Sequence, residues 1–430
     1  MSIAEVLKCK VRGGLLATAG ILAGVGAYSQ NGHLRHPFPN HTSYAKGAIK
    51  PQTKQASLDN AVKDFYTQWK LRYVKNDCSN PGLYYVYTDE GDTKNGVPVV
   101  CVSEGQGFGM MIIPLMAGYD KNAQRIYDGM YRFVVAHPTA KSKDLMSWSI
   151  LRGCRINHQK NGDEYDNTSA TDGDLDIALS LFMADAQWGS KGAINYRAEG
   201  IKRATAILRY EVNKQKHTLL LSDANDPGDY DFFDIRTSDF MPTHLKVFNK
   251  YCPNAEWGRV VDRTYQIFLA TQKKYSPKAG LIPDFITYRA KKYVPAKPHY
   301  LESADDGTYS YNACRVPFRL GLDFLLTGDV RAKQVINPMI AWLQASTKGD
   351  FKRIYAGYRL SGAVGTRFCY PEPAFVSPFV VGGMLNGGNQ QWLNRGYSYM
   401  GGFAPNKFHY YSNTINLLSL LVISGNFWLP

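Results

Sequence analysis

Stripes of apolar residues at helical spacing recur along this 430-residue chain and constrain its fold more than any other feature. Apolar residues three or four positions apart fall on one face of an α-helix, the face that packs against a core. Such stripes lie at residues 62–73, 108–115, 126–134, 175–186, 201–208, 261–269, 316–324, 340–342 and 415–423. Strand patterns are limited to short alternating segments such as 84–87. The sequence predicts a mostly α-helical protein of about a dozen helices, with its chemistry in the connecting loops.

The composition predicts one large domain. Hydrophobic residues make up 44% of the chain and aromatic residues 13%, which is enough for a single core. No internal run rich in Ser, Pro or Gly resembles a linker. We therefore expect one catalytic domain at residues 56–430, preceded by an N-terminal extension at residues 28–55, and we expect a monomer.

Residues 1–27 have the pattern of a signal peptide. Lys8, Lys10 and Arg12 precede a small-residue apolar run, and residues 25–27 offer a small-x-Ala cleavage site. The run is too short and too weakly hydrophobic to favour a permanent membrane span. We therefore expect a secreted protein with no stable membrane insertion once the signal is removed. An N-terminal anchor and an ordinary buried helix are the alternatives.

Charge and cysteine content narrow the possible functions. The formal net charge is +14, but the basic residues are scattered and form no run with interleaved aromatics, which favours a diffusely basic surface and argues against nucleic-acid binding. Acidic residues are concentrated instead in two segments, 223–239 and 302–306, as expected for an acidic cleft in a basic shell. Six cysteines lie beyond the signal, and because six allow fifteen pairings, disulfides and free buried thiols both remain open.

Carboxylates carry the predicted chemistry. The chain has no GxSxG, HExxH or GxxxxGK[ST] pattern and no CxxC pair or His/Cys cluster at metal-ligand spacing, so the sequence predicts neither a metal nor another cofactor. Two acidic, glycine-containing segments, 103–110 and 170–178, each come directly before an apolar pattern of helical spacing. This placement puts both acid clusters at the starts of helices, where two carboxylates can face one bond.

The same segments resemble a known family. Residues 103–110 and 170–188 are similar to the two defining motifs of glycoside hydrolase family 8, and the similarity continues through residues 236–242, 311–319 and 425–428. The resemblance implies an all-α fold, an (α/α)6 barrel with short strands in its connecting loops. It also implies endo-acting hydrolysis of β-1,4-linked sugars with inversion at the anomeric carbon.

Inversion requires a carboxylic acid that protonates the leaving oxygen and a carboxylate that activates water. By resemblance Glu104 is the acid, and Asp172 holds the sugar at the cleavage site. A helix N-terminus lowers a carboxyl pKa, so burial or the nearby charge of Asp172 must raise the pKa of Glu104. Asp174 and Asp176 are expected to be helix-start carboxylates that accept backbone amides.

The base departs from the best-known pattern of the family. Many members carry an aspartate where this chain has Asn312, and an amide has no basic lone pair for water's proton. One branch, which includes chitosanases and glucanases, carries a loop glutamate instead, and Glu302 occupies the matching place. We therefore expect Glu302 to be the base, with Asp305 or Asp306 as substitutes and a solvated loop glutamate as the alternative interpretation.

Several other residues are candidates for substrate contact. Aromatic faces suit the apolar faces of pyranose rings, and polar groups can orient water or a hydroxyl. The candidates are Trp148, Asp239, Tyr311, Asn312, Arg315 and Tyr370. Phe240 is expected in the core. Arg315 has two equally weighted interpretations, orientation of a catalytic carboxylate or a structural ion pair.

The sequence leaves the substrate open between a cellulose- or lichenan-type glucan and chitosan. A positive surface repels polycationic chitosan, but this repulsion is screened beyond about 10 Å at 0.1 M salt, and local acids can outweigh it. A xylan or xylo-oligosaccharide is a further possibility. Two other classes of function also stay open: a catalytically silent polysaccharide-binding protein, suggested by Asn312, and a toroidal lyase that acts on anionic glycans.

Overall fold

The computed structural model describes residues 34–89, 93–94, 96–158, 160–161, 164–165, 167–365 and 370–430. The predicted signal peptide and residues 28–33 of the predicted extension lie outside these residues.

Helices dominate the described part of the chain, as the apolar stripes predict. The α-helices found there number twelve: α1 Gln55–Tyr73, α2 Ser103–Leu115, α3 Ala123–Ala136, α4 Thr171–Trp188, α5 Tyr196–Tyr210, α6 Pro242–Tyr251, α7 Ala255–Tyr275, α8 Val316–Thr327, α9 Val330–Thr347, α10 Pro373–Gly383, α11 Gln390–Met400 and α12 Tyr410–Ile423. The predicted stripes fall in all of them except α6, α10 and α11. These three span only ten or eleven residues, and α10 is apolar on every side, so it has no stripe to recognise.

The helices form two rings. In the inner ring α2, α4, α6, α8, α10 and α12 contact one another in that order, and α12 contacts α2 again, which closes the ring. Each remaining helix packs on the outside of one inner helix: α3 on α2, α5 on α4, α7 on α6, α9 on α8, α11 on α10 and α1 on α12. Consecutive helices therefore alternate between the two rings, except that α1 and α12 come from the two ends of the described chain.

Inner helices are buried on nearly every side. Every residue of α12 from Ser412 to Ile423 is buried, as is every residue of α10. Ring neighbours cover two sides of an inner helix and an outer helix covers another, so a helix in this position has no polar face. The expectation of one-sided stripes is therefore wrong for α2, α4 and α12, whereas outer helices such as α3 and α7 do have an exposed polar face.

Short strands lie in the loops between helices. The strands in the described ranges are β1 Val74–Lys75, β2 Tyr85–Val86, β3 Thr93–Lys94, β4 Val97–Val102, β5 Ser149–Leu151, β6 Arg155–Ile156, β7 Lys160–Asn161, β8 Glu164–Tyr165, β9 Val212–Asn213, β10 Thr218–Leu219, β11 Ile235–Arg236, β12 Phe285–Arg289 and β13 Lys292–Pro295. Two sheets position the site. In one, antiparallel β4 and β5 lead toward α2 and α4; in the other, β11, β12 and β13 carry Arg236 at an edge, where it pairs with Phe285.

Residues 34–54 cross the end of the barrel where the inner helices stop. Backbone N–H groups of Phe38, Thr42 and Ile49 donate to carbonyls of residues 117, 425 and 384, which follow the last turns of α2, α12 and α10. These are positions where helix ends leave carbonyl groups without intrahelical partners. The segment therefore covers the end of the ring opposite the helix N-termini and stabilises it.

The described cysteines include both a disulfide and free thiols. Cys78 and Cys154 are bonded to each other, and Cys101, Cys252 and Cys314 are free. Cys369 lies outside the described residues. Among the helices of the described ranges, none is long and apolar enough to cross a membrane.

Candidate active site

A cavity of about 470 Å³ opens where the inner helices begin. It is within the size range of small-molecule and substrate sites in proteins. The predicted site residues that line it are Glu104, Trp148, Asp172, Glu302, Tyr311, Asn312, Arg315 and Tyr370. Asp239, the remaining predicted site residue, is not among the lining residues. The structure thus brings together residues that span more than half of the chain.

Glycines allow the starts of α2 and α4 to touch. A Cβ atom on Gly173 would lie 2.4 Å from the Ser103 hydroxyl oxygen, and one on Gly107 would lie 2.7 Å from Cβ of Asp176. A Cβ atom does not fit at these distances from its neighbours, so only glycine at positions 107 and 173 permits the contact between the two helices. The glycines of the two acidic segments therefore bring Glu104 and Asp172 to the same cavity.

Arg315 connects four groups of the site. Its Nη1 donates to Glu104 and, over 2.8 Å, to Asp172, while its Nη2 donates to Ser238 Oγ at 2.8 Å and to Asn312 Oδ1 at 2.7 Å. The side chain is only 3% exposed. Of the two interpretations of Arg315, the geometry matches orientation of catalytic carboxylates, because the planar guanidinium fixes several acceptors at once.

Glu104 lies in the first turn of α2, yet its electrostatics favour the protonated acid. The pKa of Glu104 is raised to about 7, because burial and, to a smaller extent, the charge of Asp172 outweigh the opposing charge of Arg315. The Tyr410 hydroxyl donates to Glu104 Oε1 at 3.3 Å. Burial therefore outweighs the helix dipole, and the carboxyl carries a proton over the acidic side of neutrality, as a general acid must.

Asp172 behaves in the opposite way although it is equally deep. Burial opposes its ionisation, but the charges of Arg315 and Arg236 outweigh that cost and hold the pKa of Asp172 below its usual value. Its Oδ1 also accepts the backbone N–H of Gly173 at 2.8 Å. Two neighbouring carboxyls thus have pKa values pushed apart, the pattern that separates a proton donor from a charged group.

Glu302 lies on the cavity wall with a half-exposed side chain. Oε2 accepts a 2.7 Å hydrogen bond from Asn312 Nδ2, and Oε1 accepts a 3.3 Å bond from Arg236 Nη2. Its loop is held by Asp306, which is 1% exposed and accepts the backbone N–H groups of residues 301, 302 and 303. Water can reach Glu302, and its carboxylate has a defined orientation.

Aromatic side chains and a further acid complete the cavity. Trp148 precedes β5, and its carbonyl accepts the backbone N–H of Ser103 at the start of α2. The Tyr311 hydroxyl donates to Glu372 at 2.6 Å, and Ser412 of α12 also donates to Glu372. Tyr370 is 46% exposed at the rim. These contacts fix Tyr311 and Glu372, which leaves Tyr370 as the exposed aromatic surface of the rim.

Other acids near the site are buried behind it. Asp239 is 1% exposed and lies behind Arg236, 3.7 Å from Nη1; burial raises the pKa of Asp239 to about 8. Asp174 accepts the N–H of Met146, and Asp176 pairs with Arg319 through two hydrogen bonds of 2.8 and 2.6 Å. The prediction is confirmed for Asp174, which lies in the first turn of α4 and accepts a backbone amide, although that amide belongs to Met146 outside the helix. It is wrong for Asp176, whose partner is Arg319. Phe240 is in the core, as predicted.

Sequence reasoning missed several residues that shape the site. They are Arg236, Ser238, Glu372 and Tyr410. Asp306, which the sequence offered as a substitute base, is instead buried and holds the Glu302 loop. Arg236 and Ser238 lie inside a segment that the resemblance already marked, so their position was an available signal. Glu372 and Tyr410 had none, because their partners lie far away in the sequence.

A metal site is not evident. In the ranges that the structure describes, no group of three or more His, Cys, Asp or Glu side chains is arranged to hold a metal ion. The polar groups of the cavity are carboxyls, guanidinium groups, hydroxyls, the Asn312 amide, the Trp148 indole and the His409 imidazole.

The N-termini of the inner helices place a protonated acid beside a charged aspartate. A water-accessible carboxylate lies on the same cavity. Together these features define a glycoside-hydrolase type of site. Residues 36–424 match the family described as Glycosyl hydrolases family 8. The chain belongs to glycoside hydrolase family 8, and this membership implies the (α/α)6 barrel that the two rings form.

Two relatives and one solved structure are similar over nearly the whole chain. A protein named Beta-glucanase from Niallia circulans is 40% identical over 91% of each chain. A protein named Endoglucanase from Bacillus sp. strain KSM-330 is 39% identical over 92% of this chain and 82% of its own. The solved apo structure of a beta-1,3-1,4-glucanase from Paenibacillus sp. X4 is 40% identical, covers 92% of this chain and 100% of its own, and superimposes with a TM-score of 0.84.

Proposed function

We propose that this protein is an inverting, endo-acting β-glucanase in which Glu104 is the general acid and Glu302 the general base. One observation carries the proposal: Glu104 and Glu302 line the same cavity and are joined by a chain of hydrogen bonds. Arg315 donates to Glu104 and to Asn312, and Asn312 donates to Glu302. The two carboxyls therefore have fixed positions on either side of a bridging pair. An inverting enzyme needs a space for water between them.

Each group has a defined task in this mechanism. Glu104, with its pKa at about 7, donates its proton to the departing glycosidic oxygen. Glu302 accepts a proton from water as that water attacks the anomeric carbon from the opposite face. Asp172 stays charged beside Arg315 and binds the sugar ring at the cleaved bond. Asn312 cannot accept the proton, and its amide holds Glu302 in place.

A neutral β-glucan is the proposed substrate. Its linkage is β-1,4 or mixed β-1,3-1,4, which the names of the similar proteins support. Glu302 and Asp172 are each bonded to an arginine, Arg236 and Arg315 respectively, which partly neutralises the negative charge that polycationic chitosan would favour. Glu302 beside Asn312 supports an active enzyme over a silent binding protein.

The proposal extends to the mature form of the protein. We propose that residues 1–27 are removed as a signal peptide and that the remaining chain is a secreted monomer with a single catalytic domain. The Cys78–Cys154 disulfide supports export, because disulfides persist in oxidising compartments. The family match over residues 36–424 supports a single domain.

Hydrolysis assays test the proposal. Lichenan, carboxymethylcellulose, soluble chitosan and xylan are incubated with the purified chain, and new reducing ends are counted while viscosity is followed. We expect release from lichenan and carboxymethylcellulose, a viscosity drop that precedes most of the release, and an inverted anomer by NMR. Binding without release would support the silent protein. Ultraviolet-absorbing unsaturated ends would support a lyase.

Two substitutions assign the roles. Glu104→Gln should abolish turnover, and Glu302→Gln should lower kcat by roughly 10²- to 10⁴-fold, the usual contribution of general acid–base groups. Asp305→Asn is the matched control on the Glu302 loop, because Asp305 does not line the cavity. If Glu302→Gln had a near-normal rate and Asp305→Asn were slow, the result would identify Asp305 as the base instead of Glu302.

A further inference from the structure

Tyr230 is the most exposed aromatic residue in the part of the chain that the structure describes. It is 71% exposed, compared with 46% for Tyr370 and 40% for Tyr119. A single apolar group on a surface needs no special explanation. The surroundings of Tyr230, however, differ from those of an ordinary surface tyrosine, because the ring rests on groups that are themselves fixed.

Two side chains support the Tyr230 ring. The Arg289 guanidinium carbon lies 5.6 Å from the ring centre, and the Tyr300 ring meets it edge to face with centroids 6.4 Å apart. Both supports are anchored on the fully buried Asp234: Arg289 donates to its two oxygens at 2.7 and 2.6 Å, and the Tyr300 hydroxyl donates at 2.8 Å. Tyr230 therefore needs little further ordering to bind a ligand, and such preorganisation strengthens binding.

The supports connect Tyr230 to the wall that carries Glu302. Tyr300 precedes Glu302 by two residues, and Asp234 precedes Arg236 by two, so each Cα pair is at most about 7.6 Å apart. Arg236 and Glu302 are themselves hydrogen-bonded at 3.3 Å. Tyr230 does not line the cavity. Its contact with Tyr300 places it next to the loop that carries Glu302.

We infer that Tyr230 is an outer sugar-binding platform, which holds a ring of the polysaccharide that extends past Glu302. This inference rests on the proposed function. Its ligand is a neutral β-linked pyranose chain, because a flat aromatic face matches the apolar face of a pyranose ring and Arg289 covers only part of the tyrosine. A chain long enough to leave the cavity reaches the platform, whereas a short oligosaccharide in the cavity does not.

Kinetics on long and short substrates test the platform. For Tyr230→Ala we expect KM for lichenan to rise about three- to tenfold, the size of one aromatic contact, and KM for a glucan trisaccharide to change less than twofold. Tyr230→Phe should behave like the unchanged protein, because the ring supplies the contact. The matched control is Tyr119→Ala: Tyr119 is also exposed but follows the last turn of α2, at the opposite end of the ring.

The outcomes separate the platform from the proposed function. Unchanged lichenan kinetics in Tyr230→Ala would overturn the inference and leave the proposed function standing. Equal losses on lichenan and the trisaccharide would also overturn it, because they would show an effect through Glu302. If the unchanged protein hydrolyses no glucan, the proposed function fails. Lichenan binding by affinity electrophoresis would then decide the platform alone, with retardation lost in Tyr230→Ala supporting it and equal retardation overturning it.

Discussion

The amide of Asn312 donates a 2.7 Å hydrogen bond to the carboxylate of Glu302. The oxygen of the same amide accepts a 2.7 Å hydrogen bond from Arg315. Because both its nitrogen and its oxygen are bonded, the orientation of the Asn312 amide is determined. A residue that cannot take a proton therefore occupies the place where many family members have the base, and its amide holds the carboxylate that we propose as the base.

Replacing this amide by a carboxylate should impair the enzyme. Asn312→Asp removes the donor to Glu302 and sets two carboxylates against each other, which raises the pKa of one of them. We expect kcat to fall about tenfold or more and the acidic limb of the kcat/KM profile to move to higher pH. If Asn312→Asp kept the full rate, and kept it also after Glu302→Gln was added, an aspartate at position 312 would be shown to act as the base.

The buried Asp306 should influence catalysis without touching substrate. Its two oxygens accept three consecutive backbone N–H groups, including that of Glu302. Asp306→Asn leaves one acceptor oxygen, so the loop shifts and Glu302 with it. We expect kcat to fall about ten- to hundredfold, since a misplacement of about 1 Å has this effect, with KM within about twofold. Asp305→Asn is the control, and equal losses of kcat in both variants would contradict this role.

The protonation of Glu104 should limit activity at high pH. Burial raises its pKa to about 7, so the fraction of enzyme with a proton to donate falls as the pH rises through 7. The basic limb of kcat/KM, which reports the free enzyme, is expected near pH 7. It is measured with lichenan at constant ionic strength. A profile that declines already below pH 5 would show that Glu104 is ionised at neutrality and cannot be the acid.

A second buried carboxyl should make stability depend on pH. Burial, and then the neighbouring Asp174, raise the pKa of Glu211 well above its usual value. Between the unfolded pKa, about 4.3, and this raised value, the folded protein holds a proton that the unfolded chain has released. Rising pH therefore lowers the free energy of unfolding in this range. Glu211→Gln removes that dependence.

Relative to the unchanged protein, Glu211→Gln should gain up to about 1.4 kcal/mol of unfolding free energy per pH unit as the pH rises above about 5. Urea titrations at each pH measure it. Glu199→Gln is the contrasting control: although burial opposes ionisation, bonds from Lys202 and Tyr131 hold the pKa of Glu199 below its usual value. That variant should be less stable throughout this range. If the free energy of unfolding changed with pH in the same way for Glu211→Gln and for the unchanged protein, the raised pKa of Glu211 would be contradicted.

Local patterns were sufficient to predict nine of the twelve described helices, all except α6, α10 and α11, and the two acidic helix starts. Glu104 and Asp172 follow from motifs whose glycines have a direct physical purpose, the contact of α2 with α4. The expectation for Asp176 failed because its partner, Arg319, lies 143 residues away, and a local pattern favours the nearest backbone amide. Glu372 and Tyr410 could not be predicted for the same reason, because their partners also lie far away in the sequence. Closure of the ring sets these contacts, and no short segment encodes it.

Ring closure also has a consequence in time. Tyr410, which donates to Glu104, begins the last helix and lies 306 residues after it. At typical translation rates the ribosome needs roughly 15 to 60 s to cover that distance. The carboxyl that we propose as the proton donor is therefore synthesised long before the hydroxyl that bonds to it, and we expect hydrolytic activity only after α12 has been added.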